Sequence, residues 1–512
     1  MPDNSSSNKR IAKNSIFLSI RMVIVLLVSL YTTRVVLQVL GVVDYGVYNV
    51  VCGFVSMFAF LNISMSNGIQ RFFNFEYGKN GEERANKVYC TSIYIQALLA
   101  IIVVFIVEIF GVWYLHNKMV IPEERMIAAE WIFQFSILTF VAGIMQAPFT
   151  AAVVAHEKLD FFAVVSVVDT ILKLGIAFLI QKITIDKLIA YGAFIAAISF
   201  LNILAYYIYC KIYFREIRFK KGLDKKLFKS MLGFSGWNLF GSFSNMMRDQ
   251  GVNLILNFFY GPVVNAARGV AMQVNGGVTG LVTSILTPVR PQVVQSYAKG
   301  EMTRVMNLTY TISKFSLFFL LILSIPICVE IDFILRIWLG DVIPDHTQAF
   351  IIIILLTSAI LIPMSSQAAL VHASGNMRNY QVIGSIVKVL SVPIAFFMMK
   401  YGYEPEWALI MVLLFDAIGL VVGMFIICTI MPFDIIKYTM KVFVPVIPVF
   451  IISFLLSWFV HNSISNEIAR FLCVCVVSSL SCFVSIAFLG ISKEEKNLLK
   501  KIIHKKISKW EI

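Results

Sequence analysis

Long apolar runs alternate with short polar connections along almost the whole chain. A helix that crosses the hydrocarbon core of a bilayer needs about 20 apolar residues, each adding about 1.5 Å. The pattern therefore predicts about fourteen transmembrane helices, over residues 14–38, 43–66, 88–114, 127–153, 161–181, 188–210, 228–258, 263–289, 308–331, 347–372, 379–400, 406–430, 441–460 and 467–490. The seventh and eighth runs are the least apolar, and they are included because an internal repeat requires them.

The two halves of the chain carry similar short motifs in the same order. The matched pairs are Gly41 with Gly261, Gly81 with Gly300, Pro148 with Pro363, His156 with His372, and Lys173 with Lys388. Six helices in each half give both halves the same orientation, which is a parallel repeat about an axis along the membrane normal. We therefore expect an all-α membrane protein with two pseudo-symmetric six-helix lobes, at 1–215 and 216–435. Two further helices at 436–492 and a basic cytoplasmic tail at 493–512 follow them.

Composition and charge agree with a membrane protein. Hydrophobic residues make up 59% of the chain and charged residues 14%, whereas soluble domains have about 45–50% and about 25%. The net charge of +14 comes mainly from Lys and Arg in the short connections, above all 211–229, which indicates membrane topology rather than a nucleic-acid surface. This distribution predicts that both termini are cytoplasmic. The polar start, 1–13, lacks a signal-peptide cleavage pattern, and the eight cysteines lack metal-binding spacing.

Charged residues inside the predicted helices are candidates for a functional cavity, because charge in a bilayer is costly and normally faces a polar interior. Polar residues also form stripes on the seventh helix (Ser242, Asn245, Asp249, Asn253) and the eighth (Asn265, Arg268, Asn275, Thr279). The candidates for an anion-binding cavity are Arg21, Arg34, Lys173, Arg248, Arg268, Asn275 and Lys388. The candidates for ion coupling or pairing are Asp169, Asp249 and Asp416. Asp169 and Lys173 stand four residues apart, so mutual neutralisation is an equal alternative for them.

One stretch resembles a known family. Residues 13–51 read KNSIFLSIRMVIVLLVSLYTTRVVLQVLGVVDYGVYNVV, and residues 64–81 read SMSNGIQRFFNFEYGKNG. These segments are similar to the polysaccharide-transport branch of the multidrug/oligosaccharidyl-lipid/polysaccharide (MOP) exporter superfamily, the bacterial O-antigen and capsule repeat-unit flippases. The helix layout resembles that branch over essentially the whole chain.

The resemblance implies a transporter of the bacterial inner membrane, not an enzyme. Its substrate would be an undecaprenyl-pyrophosphate-linked oligosaccharide, moved from the inner to the outer leaflet for surface polysaccharide synthesis. Basic residues on the first, second and eighth helices would contact it; Arg21, Arg34 and Arg268 match in kind, while the second helix offers only Tyr45 and Tyr48. No cofactor is expected, although an H⁺ or Na⁺ gradient could drive transport. Other polysaccharide-assembly membrane proteins are expected partners; nucleic acid is not.

Three alternatives stay open on the sequence. A peptidoglycan lipid-precursor flippase would have the same fold and chemistry. A cation-coupled multidrug exporter of the same superfamily would favour acidic cavity residues. A membrane-embedded glycosyl polymerase or ligase would need an external catalytic platform, for which one connection offers Asp332, Asp341, Asp345 and His346. We interpret that cluster as loop polarity.

Overall fold

The computed structural model describes residues 4–156, 158–220, 222, 224–286, 293, 296–297, 299–340, 342–374 and 376–491. Over these residues the regular secondary structure is entirely helical, which confirms the predicted fold class. The predicted tail at 493–512 lies outside the described residues.

Six helices make up the first part of the chain, and α2 is extended by a π-helical turn at Val107–Gly111. They are α1 (Asn4–Ser56), α2 (Ala59–Ile106), α3 (Val112–Asn117), α4 (Met126–Ala155), α5 (Leu159–Leu179) and α6 (Lys187–Tyr213).

Ten more helices follow in the described part of the chain, and a π-helical turn at Ile486–Gly490 ends the last of them. They are α7 (Lys225–Tyr260), α8 (Pro262–Leu286), α9 (Met302–Val329), α10 (Ile331–Leu339), α11 (Thr347–Ser374), α12 (Arg378–Lys400), α13 (Glu406–Ile430), α14 (Ile435–Val442), α15 (Val446–Ser463) and α16 (Glu467–Ser485).

The glycines matched in the sequence repeat have the same backbone conformation. Gly41 interrupts α1 at φ 80° and Gly81 interrupts α2 at φ 75°. Gly261 separates α7 from α8 at φ 76°, and Gly300 precedes α9 at φ 74°. Residues with a side chain rarely adopt these positive φ values, so glycine is suited to a sharp change of direction between two helices. The four turns occur in the same order in the two halves, as the repeat predicts.

Eleven helical segments in the described residues are long and apolar enough to cross a membrane. The first of them, Ile24–Ser56, overlaps both the first and the second predicted span, and the other ten correspond to the third to sixth and the ninth to fourteenth. The helices α7 and α8 also form, with 36 and 25 residues, but polar side chains lower their hydropathy. The residues 59–80 are helical too, beyond the predicted end of the second span at residue 66. The total of about fourteen spans is therefore not confirmed and stays a prediction.

Large apolar side chains cover the outer surface of the spanning helices. Ile101 is 68% exposed, Phe105 67% and Phe459 70%, the reverse of a water-soluble surface. The N-terminal ends of several helices are capped, for example α6 by the Asp186 carboxylate, which accepts from the N–H groups of Leu188 and Ile189. Helices satisfy their own backbone groups, so such a chain can lie in hydrocarbon.

The chain divides into two compact units. The first contains residues 1–274, 338–353 and 381–415, and the second contains 275–337, 354–380 and 416–512. The first unit has a core of α1, α2, α4 and α6, including Phe133 and Phe73. The second has a core around Tyr438, which donates a hydrogen bond to Ser313 at 3.1 Å. The two six-helix lobes at 1–215 and 216–435 stay a prediction.

Candidate functional site

A polar cavity of about 450 Å³ lies within the first unit, between α1, α6, α7 and α8. Its polar lining residues are Thr32, Thr33, Tyr45, Tyr48, Asn49, Cys52, Ser56, Tyr191, Gln250, Asn253, Asn265, Arg268 and Gln273. Most are uncharged amides and hydroxyls, and Arg268 is the one charged side chain among the described lining residues.

Glycines bring the cavity helices close together. A Cβ on Gly269 of α8 would lie 2.8 Å from the Asn49 amide oxygen, and one on Gly53 of α1 would lie 2.7 Å from the Asn253 amide nitrogen. Both atoms are the ends of asparagine side chains, so a side chain at either glycine would displace that amide. The two glycines therefore let the amides of Asn49 and Asn253 lie directly against the backbone of a neighbouring helix.

Three asparagines link these helices. Asn265 of α8 donates from Nδ2 to the backbone oxygen and to Oδ1 of Asn253 in α7, at 2.8 and 2.9 Å. Asn253 donates to the backbone oxygen of Asn49 at 3.4 Å, and Asn49 donates to that of Tyr45 at 2.7 Å. The Oδ1 atom of Asn265 is buried and accepts no hydrogen bond from the described residues.

Arg268 is 6% exposed and forms no salt bridge with a described carboxylate. Its Nη2 donates to the backbone oxygen of Asp249 at 2.7 Å, while its buried Nε has no partner among the described residues. Leaving a buried donor unpaired costs about 1–3 kcal/mol, and more for a charged group. A buried guanidinium with spare donors beside a cavity is therefore suited to an anionic ligand.

The other candidate cations have local partners. Lys173 pairs with Asp169 at 2.8 Å, and Asn202 of α6 donates to the same carboxylate at 2.6 Å. Arg248 pairs with Asp249 at 2.9 Å. Pairing, one of the two interpretations left open for Asp169 and Lys173, is thus what the structure contains.

The remaining candidates are not among the described residues that line the cavity. The Arg21 guanidinium sits 4.7 Å from the centre of the Phe162 ring, and Lys388 donates to Asn245 at 2.9 Å. Arg34 is half-buried on α1. In the second unit, Asn275 accepts from Ser358 at 2.7 Å and Asp416 is fully buried. Their roles in binding stay predictions.

Sequence reasoning missed the uncharged cavity residues Thr32, Thr33, Gln250 and Gln273. Uncharged polar residues cost less in a membrane helix than charged ones, so they give a weaker signal. One signal was available: Gln273 stands five residues after Arg268, and Gln250 stands three before Asn253. Both fall near the polar stripes of α8 and α7.

The connection considered as an external catalytic platform is described in part. His346 pairs with Glu406 at 2.6 Å, and Asp332 lies in α10. Asp341 lies outside the described residues.

Residues 18–179 match the MatE family, while the comparison with curated protein sequences gave no match. The structure is similar to a lipid II flippase, MurJ, in an inward closed conformation, with a TM-score of 0.70 and 16% identity over 93% of this chain and 98% of that one.

Two further solved structures show the same likeness. A multidrug resistance MATE family transporter of the MOP superfamily, facing inward, has a TM-score of 0.63 and 13% identity over 77% of this chain and 92% of that one. A MOP superfamily transporter from Pyrococcus furiosus has a TM-score of 0.55 and 12% identity over 80% and 94%. The chain therefore has the fold of MOP-superfamily transporters.

Proposed function

We propose that this chain, with a MOP-superfamily transporter fold and a MatE match over residues 18–179, is a flippase for a lipid-linked oligosaccharide. Its substrate is undecaprenyl pyrophosphate carrying a surface-polysaccharide repeat unit, moved from the inner to the outer leaflet of the bacterial cytoplasmic membrane. The observation that carries the proposal is Arg268, buried beside the polar cavity with an unpaired donor.

The diphosphate is the part of such a substrate that needs Arg268. Removing a phosphate from water is costly unless charge and hydrogen bonds replace its hydration. Arg268 supplies a fixed positive charge, and the amides of Gln250, Gln273 and Asn49 around the cavity add uncharged donors. The polyprenyl tail stays in the lipid, and alternating access then exposes the head group on the outer side.

Coupling of transport to an ion gradient would involve the acidic residues inside the helices. Asp169 and Asp249 are each paired with a cation, so protonation of either would release a positive charge. Asp416 is fully buried in α13. A proton or sodium gradient would act through one of these three groups.

A second candidate function is transport of a peptidoglycan lipid precursor. It is favoured by one observation, the likeness to a lipid II flippase over 98% of that chain. Both cargoes contain a polyprenyl diphosphate, so Arg268 has the same role in either case. A multidrug exporter of the same fold is less well supported, because the cavity has a cation and no described carboxylate in its lining.

Reconstituted vesicles test the proposal directly. Full-length protein is incorporated with either an undecaprenyl-pyrophosphate oligosaccharide or lipid II, and the fraction of each lipid that crosses the bilayer is measured. We expect Arg268→Ala to slow transport by about 10- to 100-fold, the loss of a charged hydrogen bond. Arg268→Lys keeps the charge but loses the fork of donors, and we expect an intermediate rate.

A matched control separates this effect from loss of charge in general. Arg304 is exposed, with a salt bridge to Glu301 at 3.2 Å, so Arg304→Ala should transport at the normal rate. Normal transport by Arg268→Ala at equal protein levels contradicts the assignment of Arg268. Transport of lipid II alone selects the second candidate.

A further inference from the structure

A second surface with uncharged polar side chains lies along one face of α4. We call it the neutral groove. It is formed by Ser136, Thr139, Gly143, Gln146 and Thr150 of α4, facing Cys52 and Ser56 of α1 and Asn62, Ser66 and Gln70 of α2. The α4 residues follow one another at three or four positions, so they share one helical face. From Ser136 to Thr150 this face is about 21 Å long at about 1.5 Å per residue.

Two cavities make up the neutral groove. One, of about 210 Å³, has a mainly apolar lining that includes Ile132, Phe135 and Phe140, and its hydroxyl groups include those of Ser56, Ser136 and Thr139. The other, of about 250 Å³, is lined by Asn62, Gln70 and Gln146. Thr139 and Gly143 are one helical turn apart on α4, so the two cavities succeed each other along that helix. No described Asp, Glu, Lys or Arg lines either of them.

The neutral groove adjoins the cavity that contains Arg268. Tyr48, Cys52 and Ser56 line both that cavity and the first cavity of the groove. A ligand with its anionic group at Arg268 would therefore place the next part of the molecule at the start of the groove. An elongated ligand fits this arrangement better than a round one.

The amide groups of the groove have unused hydrogen-bonding capacity. The side chains of Gln70 and Gln146 form no hydrogen bond with another described residue, although each amide can donate twice and accept twice. Asn62 is held in place instead: its Oδ1 accepts from Ser66 at 3.3 Å and from the fully buried Gln96 at 3.4 Å. A polar face inside a membrane protein needs water or a polar ligand against it.

We infer that the neutral groove is the binding site for the saccharide part of the cargo, with Gln70 and Gln146 as its specificity-determining contacts. This inference rests on the proposed function. Uncharged amides and hydroxyls match the hydroxyl and acetamido groups of an uncharged sugar chain. A peptide stem with carboxylates would need cations there, and no described cation lines either cavity. The groove thus favours an oligosaccharide over a peptidoglycan precursor.

The test compares two probes on full-length protein in lipid nanodiscs. One probe is undecaprenyl diphosphate, and the other is undecaprenyl diphosphate carrying an uncharged tetrasaccharide. We expect the protein to bind the glycosylated probe more tightly. The double variant Gln70→Met, Gln146→Met, which keeps side-chain length, should lose about tenfold in affinity for the glycosylated probe, the effect of two amide hydrogen bonds. Its affinity for undecaprenyl diphosphate should not change.

Two further variants keep the result interpretable. Gln134 lies on α4 outside the groove, and its Nε2 donates to Oε2 of Glu108 at 3.2 Å. The variant Gln134→Met should therefore bind both probes normally. Gln146→Glu keeps an acceptor and stays polar, and it should also lose affinity for the glycosylated probe alone. Gln146→Glu therefore tests whether the groove binds the saccharide if the double variant does not fold.

The outcomes separate the two proposals. The assignment of the groove as the saccharide site is wrong if the unmodified protein binds both probes with equal affinity. It is also wrong if the double variant still binds the glycosylated probe more tightly than undecaprenyl diphosphate by the same factor. Failure of both probes to bind, or unchanged binding of both to Arg268→Ala, overturns the proposed function itself.

Discussion

At the scale of single residues, the described cations inside the helices differ in what balances their charge. Lys173 and Arg248 each lie within 3 Å of a carboxylate, so their charges are balanced within the protein. Arg268 bonds only to a backbone oxygen among the described residues. A balanced pair stabilises helix packing, whereas an unbalanced buried charge is retained at a cost and indicates a ligand.

A residue-level prediction concerns Arg125, whose guanidinium binds two carboxylates. It donates to Asp44 at 2.7 and 2.6 Å and to Asp186 at 2.6 and 3.2 Å. Burial by itself raises the pKa of Asp186, but the hydrogen bonds from Arg125 and from the backbone outweigh it, so the net pKa is lowered. A lowered pKa means that ionised Asp186 stabilises the fold above the unfolded pKa of about 3.9, and less as pH falls through the folded value.

We therefore expect Asp186→Asn to destabilise the protein by about 1 kcal/mol at neutral pH, seen as a lower melting temperature in detergent. The difference from the unmodified protein should shrink as the pH falls below about 4 and through the lower pKa of folded Asp186, because the carboxyl is then protonated in both states. Glu124→Gln, at an exposed neighbouring position, should change neither value. An equal deficit at every pH would show that the carboxylate charge is not the cause.

At the scale of helices, the turns and contacts depend on glycines placed for two different reasons. Gly41 and Gly261 have positive φ values and allow the chain to reverse between helices. Gly46 instead allows close packing, because a Cβ there would lie 1.9 Å from the backbone oxygen of Pro262. The first reason can be recognised from the repeat in the sequence, and the second only from the packed helices.

Gly46→Ala should accordingly force α1 away from the start of α8 and destabilise the protein by about 1–3 kcal/mol, the usual effect of overpacking. Thermal unfolding in detergent measures it. Gly175→Ala in α5 is the matched control, because no other atom lies within 4 Å of its Cβ position. Alanine there should be neutral or slightly stabilising. Equal melting temperatures for the two variants would contradict the packing described at Gly46.

At the scale of the whole molecule, the open question is whether α7 and α8 cross the membrane. With 36 and 25 residues they are about 54 and about 38 Å long, more than the hydrocarbon thickness of about 30 Å. The polar residues of α7 and α8 lower the mean hydropathy of both helices. These residues line the cavity and bond to other helices. Helices of this kind are stable in a membrane when the polar face is covered by protein or water.

Topology reporters fused after Gly222, Gly261, Gly300 and Gly402 distinguish the two possibilities in cells. If both helices cross and the N-terminus is cytoplasmic, Gly222 and Gly300 report the cytoplasm, and Gly261 and Gly402 report the outside. If neither crosses, Gly261 reports the cytoplasm while the other three are unchanged. The second result would remove the two spans that the repeat requires.

The fold class and much of the helix layout could be predicted from the sequence alone. A bilayer forces the backbone into helices and requires each to be long and apolar, and both requirements can be recognised in a linear string of residues. The repeat was also visible, since turn glycines at positive φ cannot be replaced without strain. Arg268 was recognised because a charge inside a membrane helix is conspicuous.

Which residues form the site was decided only by tertiary structure. The linear order places Asp249 next to Arg248, but it does not tell that this carboxylate pairs with Arg248 while Arg268, among the described residues, bonds only to the backbone oxygen of Asp249. Uncharged residues such as Thr32, Gln250, Gln70 and Gln146 do not identify a site by themselves. Whether such a side chain binds a ligand depends on which hydrogen bonds its neighbours in the packed helices already make. Charge balance and hydrogen-bond capacity depend on atoms from several helices, so they become defined only when those helices pack.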